Sequence, residues 1–148
     1  TQSRSSAASD VYKRQDKEFK YYDYACFISI LDIDNNEQKF DKSIDNFLQV
    51  KMWDIEEDLF ENGELKYEKP NDNELKNIVD FINKHKDKSV FIIHCSAGIS
   101  RSGAVATFLY DKFLSEIDKE QFRRENKYIR PNLYILNRLK SLDTVVLE

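Results

Sequence analysis

Cysteine is scarce: Cys26 and Cys95 are the only two in 148 residues. Nothing in their spacing suggests a disulfide framework or a zinc site. No apolar stretch approaches the roughly 20 residues that a membrane-spanning helix needs, and no charged-then-apolar signal sequence opens the chain. Long basic runs are missing too. With 23 Lys and Arg against 27 Asp and Glu, the net charge is −4, which argues against nucleic acid or an anionic membrane as the main partner. Any anion site must therefore be built locally, against the average field of the surface. Glycine is equally rare, three residues in all, and two of them fall in one short segment. What remains is a 41% apolar chain of a length that suits one domain with a real core. The expectation is a cytoplasmic monomer that needs no cofactor and no metal.

Residues 1–15 are rich in Ser, Ala and Arg without a usable period, and are read as a disordered or non-native tail. A single domain is expected over 19–148. Ala25-Cys26-Phe27-Ile28-Ser29-Ile30-Leu31 is a nearly continuous apolar run that reads as a buried strand. Residues 47–53 alternate in part and form a second strand that feeds an acidic loop, 54–58. Residues 60–69, with Gly63 and then Pro70, read as a connecting excursion. Asn71 and Glu74 resemble a capping box. Leu75, Ile78, Val79 and Ile82 follow at helical spacing, so an amphipathic helix runs to about Lys86. Ser89-Val90-Phe91-Ile92-Ile93 is the candidate central strand. Residues 104–114 are apolar nearly all round, as in a buried helix; Asp118 and Gln121 open a short polar one, and Pro131-Asn132 opens the last. Strands alternating with helices give an α/β class with a central, mostly parallel sheet flanked by helices.

Between that central strand and the buried helix lies His94-Cys95-Ser96-Ala97-Gly98-Ile99-Ser100-Arg101-Ser102-Gly103. A strand running through a short loop into a helix aims successive N–H groups and the positive helix end into one concavity, which suits an anion. Gly98 allows backbone angles that other residues avoid. A thiol at Cys95 in such a field is favoured as the thiolate. Attack by a thiolate on phosphorus splits one hard displacement into two easier ones. Arg101 offers a planar fork of donors matched to the oxygens of a transferring phosphoryl group. A lone cysteine is more often a small core residue, and Cys26, without these companions, is read so.

The pattern His94-Cys95, five residues, Arg101-Ser102 resembles the signature of the protein tyrosine phosphatase superfamily. Ser96 to Ser100 within it are similar to its dual-specificity branch. Asn126-Lys127-Tyr128-Ile129-Arg130-Pro131-Asn132 also resembles the approach to that branch's closing helix. The resemblance implies Cys95 as nucleophile, and the amides of Ser96, Ala97, Gly98, Ile99, Ser100 and Arg101 as the phosphate cradle. It also implies Ser102 as a hydroxyl that helps the sulfur leave, His94 as a residue shaping the loop, and Asn132 as its brace. His94 as a satisfied core histidine, and Ser102 and Asn132 as helix caps, remain open. A general acid is needed for the leaving oxygen. The resemblance implies an aspartate after an upstream strand, and Asp54 holds that place, with Glu56, Glu57 and Asp58 as alternatives.

The implied activity is hydrolysis of phosphotyrosine, with phosphoserine and phosphothreonine possible, in a phosphorylated protein or peptide, through a phosphocysteine intermediate. Two rivals stand beside it. One is the same chemistry on an inositide or an RNA 5′ end, against which count the absence of lysine in the loop, apolar Ile99 and the acidic net charge. The other is a phosphopeptide-binding module, which would be expected to lack the nucleophile or the clamp. Tyr21, Tyr22 and Tyr24 could rim a pocket or pack in the core, and His85 reads as a surface residue.

Overall fold

β-branched and aromatic side chains in short runs fit a pleated, buried surface, and the two most apolar runs of the chain become neighbouring central strands. The computed structural model describes residues 2–6, 25–35, 46–87, 90–96, 99–113 and 116–144. Strands β1 (Gln2–Ser6), β2 (Ala25–Leu31), β3 (Phe47–Lys51) and β6 (Val90–His94) form one sheet in the order β1-β6-β2-β3. All three pairings are parallel. Strands β4 (Leu59–Glu61) and β5 (Glu64–Tyr67) form a separate antiparallel hairpin. The helices are α1 (Asp72–Lys84), α2 (Arg101–Phe113), α3 (Glu116–Glu125) and α4 (Leu133–Leu142).

Burial is continuous along β2 as far as Ile30, the mark of a strand covered on both faces. Ile28, Ile30, Phe91 and Ile93 join Leu75, Ile78 and Ile82 of α1, Val105 and Leu109 of α2, and Ile135 and Leu139 of α4 in one core. Phe27 and Ile92, opposite one another in the register, are buried outside that cluster and so cover the other face. The α/β class with its parallel sheet is as expected.

Four expectations change. Residues 1–15 were expected to be a tail, yet Gln2–Ser6 pairs with β6 residue for residue. A parallel ladder is a main-chain bond pattern, so the polar run Gln-Ser-Arg-Ser-Ser can complete an edge that no apolar period would announce. The excursion at 60–69 is a hairpin. Asn62 and Gly63 both have positive φ, 53° and 80°, as a two-residue type I′ turn requires. The capping box is half formed: Asn71 Oδ1 accepts from Glu74 N–H at 2.9 Å, but the Glu74 carboxylate turns to Lys51 N–H, 2.8 Å away, and ties α1 to β3. His85, expected at the surface, is buried beside Phe81. Residues 7–15, Tyr21, Tyr22, Tyr24, Ser89, Ala97 and Gly98 lie outside the described residues.

Candidate active site

The β6 strand ends at His94 and α2 begins at Arg101, so the loop between them is residues 95–100. The helix starts earlier than its apolar stretch because its first turn is polar: Arg101 and Ser102 are helical and buried. Cys95 Sγ accepts from Ser102 N–H at 3.4 Å and lies 3.3 Å from Ser102 Oγ. The sulfur therefore meets the donor end of α2, where the peptide dipoles favour negative charge. Cys95 is 3% exposed and belongs to the hydrophobic core cluster, while its sulfur meets the N–H and hydroxyl of Ser102. Cys26, fully buried on β2, has no comparable setting, and both cysteines are free thiols. His94 is buried at the end of β6, in register with Ser29 of β2.

Arg101 is 4% exposed, and the described residues hold its guanidinium through Nη1. Nη1 donates to Asp32 Oδ1 and to Met52 O, both at 2.7 Å. A guanidinium has five N–H donors in a rigid fork, and these two bonds use both of Nη1's. Nε–H and Nη2 make no hydrogen bond to a described residue, and Nε is buried. The edge left over is the one that can grip two oxygens at once. Asp32 was missed in the sequence, where it passes for a turn residue after β2. Its partner lies 69 residues away, and no local pattern reports that.

The acidic loop after β3 is sorted by its bonds. Asp54 Oδ1 accepts from Ser100 Oγ at 2.7 Å and from Asn132 Nδ2 at 3.0 Å, while Oδ2 makes no hydrogen bond to a described residue. Glu56 accepts from Leu133 N–H at 2.8 Å, at the start of α4. Asp58 accepts from Lys69 N–H at 2.9 Å and closes the base of the hairpin. Glu57 is exposed to solvent. Asp54 is thus the carboxylate in contact with the loop.

Asn132 gathers these parts. Its Oδ1 caps α4 by accepting from Ile135 N–H at 3.0 Å. Its Nδ2 donates to Asp54 and to Ile55 O at 3.1 Å, and its N–H donates to Ser100 O at 3.1 Å. Arg130 N–H reaches Ile99 O at 3.2 Å. This close approach needs Gly103: a Cβ there would lie 2.6 Å from Ile129 Cγ2. Ser96 is exposed and Ile99 more than a third exposed, so the loop keeps an open rim.

A cavity of about 460 Å³ opens beside the loop, lined by Asp54, Glu56, Glu57, Leu59, Ser100 and Asn132 among others. It does not reach Cys95 or Arg101. Its acidic wall would repel a phosphate, so the cavity is no phosphate pocket. Among the described residues no group of three or more metal-ligating side chains converges, and no helix is long and apolar enough to cross a membrane.

A family model described as protein-tyrosine phosphatase matches residues 4–130. The chain belongs to that family. Solved phosphatase structures share its fold. The Cydia pomonella PTP-2 phosphatase is 17% identical with a TM-score of 0.55, the match covering 93% of this chain and 82% of that one. DUSP15 is 16% identical with a TM-score of 0.52, covering 98% and 90%. The human tyrosine phosphatase-like serine/threonine/tyrosine-interacting protein is 18% identical with a TM-score of 0.52, covering 86% and 82%. Among curated proteins none matches the sequence.

Proposed function

We propose that this chain hydrolyses phosphotyrosine, and with it phosphoserine and phosphothreonine, in proteins or peptides through a phosphocysteine intermediate. The observation that carries the reading is the convergence on one loop of the Cys95 sulfur, the free edge of Arg101 and the Asp54 carboxylate. In the first step the Cys95 thiolate forms a bond to phosphorus as the bond to the tyrosine oxygen breaks. Protonated Asp54 gives its proton to the leaving oxygen. Loop amides and the Nε/Nη2 edge of Arg101 spread the charge on the non-bridging oxygens. In the second step water attacks phosphorus, Asp54 takes the water's proton, and the P–S bond breaks. Ser102 Oγ, in hydrogen-bonding reach of the sulfur, stabilises the departing thiolate. The amides of Ser96, Ala97, Gly98, Ile99 and Ser100 form the cradle. His94 shapes the strand end and Asn132 holds loop and acid in register. The protein acts as a cytoplasmic monomer, with no cofactor in the scheme.

Turnover of p-nitrophenyl phosphate without added metal tests this directly. Cys95→Ser is expected to abolish turnover while retaining binding of phosphate-like anions. Asp54→Ala is expected to slow cleavage about 10²- to 10⁴-fold for poor leaving groups such as tyrosine, and far less for p-nitrophenol. An unchanged high-pH limb of the profile, the side on which a general acid loses its proton, would move the role to a neighbouring carboxylate. The likeness to the human interacting protein favours a second reading, a phosphopeptide-binding module. Retention of both Cys95 and Arg101 opposes it, and a wild-type protein inert between mildly acidic and neutral pH would favour it.

A further inference from the structure

A protein this size scatters exposed apolar side chains over its surface, but those among the described residues share one topological setting. The large apolar residues exposed among the described ones include Ile33, Leu59, Phe60, Leu65, Ile99 and Leu133. Ile33 follows Asp32, which pairs with Arg101. Ile99 belongs to the loop, and Leu133 donates its N–H to Glu56. Tyr128, the remaining one, precedes the segment tied to the loop through Arg130 and Asn132. All follow the carboxyl ends of parallel strands or are bonded to segments that do, which is the side where α/β sheets receive ligands.

The hairpin is the most apolar part of this collar. Phe60 is 64% exposed, Leu65 50% and Leu59 44%, and Phe60 faces Leu65 across the ladder. Its one aromatic anchor to the body among the described residues is Tyr67 against Trp53, ring centroids 5.0 Å apart. Leu59 lines the cavity that Ser100 and Asp54 share, so the apolar surface runs directly into the proposed catalytic loop. A small phosphate ester has no use for apolar surface beyond the loop. Carboxylates flank it: Glu56 and Glu57 in the cavity, Glu61 and Glu64 on the hairpin.

We propose that the β4–β5 hairpin and the adjoining cavity dock the substrate polypeptide beside its phosphorylated residue, and select segments carrying an apolar and a basic side chain there. The apolar side chain covers Phe60 and Leu65, and the basic one enters the cavity against Glu57. This rests on the phosphatase reading above and adds the class of substrate.

The test is binding of two short fluorescent phosphotyrosine peptides to the Cys95→Ser protein, read by anisotropy. One carries Arg and Leu beside the phosphotyrosine, the other Asp and Ser. The first is expected to bind about tenfold tighter, a difference equivalent to one buried apolar side chain. Phe60→Ser with Leu65→Ser should remove most of that preference, and Glu57→Lys should turn it toward the acidic peptide. These positions are exposed, so the variants keep their fold. Equal affinities for the two peptides, or a preference that neither variant moves, overturn the proposal. So does a dimer in sedimentation that Phe60→Ser with Leu65→Ser disperses while peptide affinities stay put, since the hairpin would then belong to a second copy. Wild-type turnover of p-nitrophenyl phosphate is measured alongside. Its absence sinks the phosphatase reading, whereas the affinity ratio still judges the docking.

Discussion

The loop 95–100 and the β4–β5 hairpin stand on either side of one cavity and are built in opposite ways. The loop is held by groups from far along the sequence: the Asp32 side chain on Arg101, the Asp54 side chain on Ser100, and Asn132, whose N–H meets Ser100 O while its side chain meets Asp54. The hairpin is held by its own ladder, an Asn-Gly turn, one aromatic contact and Asp58 across its base. An isolated two-stranded hairpin is marginal in water. A network fixes geometry to fractions of an ångström, as chemistry on phosphorus requires, whereas a local hairpin can yield to different partners.

Asp32→Ala is the sharpest way to break the first half of this comparison. Removing one partner of a buried ion pair leaves an uncompensated cation and costs about 3–5 kcal/mol. The Asp32 side chain is 39% exposed, so solvent screening reduces that to about 2 kcal/mol. Thermal unfolding should show a Tm lower by about 6 °C. Inorganic phosphate should restore more of it in the variant than it adds to wild type, because the anion replaces the missing charge. Equal phosphate shifts would mean that Arg101 does not face the anion.

Gly63→Ala tests the other half. Nothing lies within 4 Å of the added Cβ and φ is +80°, so the cost is backbone strain alone, about 1 kcal/mol. It should appear as faster hydrogen exchange confined to the hairpin, with little change in global Tm. A Tm loss of the full amount would show that the hairpin and the body unfold as one.

The smallest effect belongs to Asp72 and Arg138, which join α1 to α4 at 2.7 Å. The hydrogen bond from Arg138 holds the Asp72 carboxyl below its usual range. Its folded value is thus depressed. The pair's stabilisation is complete above the ordinary carboxylate range and is lost as pH falls through that range toward the lowered value. Asp72→Asn should flatten this acid limb of stability slightly, measured by urea unfolding at several pH values.

How much of this was legible follows the same division. The apolar runs at β2 and β6, the period of α1 and the loop residues 94–103 carry local signals, and they led to the sheet, the loop and the choice of Cys95 and Arg101. Asn62-Gly63 also carries a local signal, but the apolar residues flanking it are too few to read as strands. β1 has no apolar pattern because its pairing is made by main chain. Asp32 looks like an ordinary turn residue, since its meaning depends on a guanidinium 69 positions later. Glu74 reads as half of a cap until a strand amide offers a better donor.

Asn132 meets Asp54 across 78 positions of sequence. A ribosome that has released the chain only through α2 has therefore made the sulfur and the guanidinium, but not the residue that clasps acid to loop. The segment that follows α3 closes the circuit, so a chain stopped before it carries the loop residues without the clasp that aligns them with Asp54.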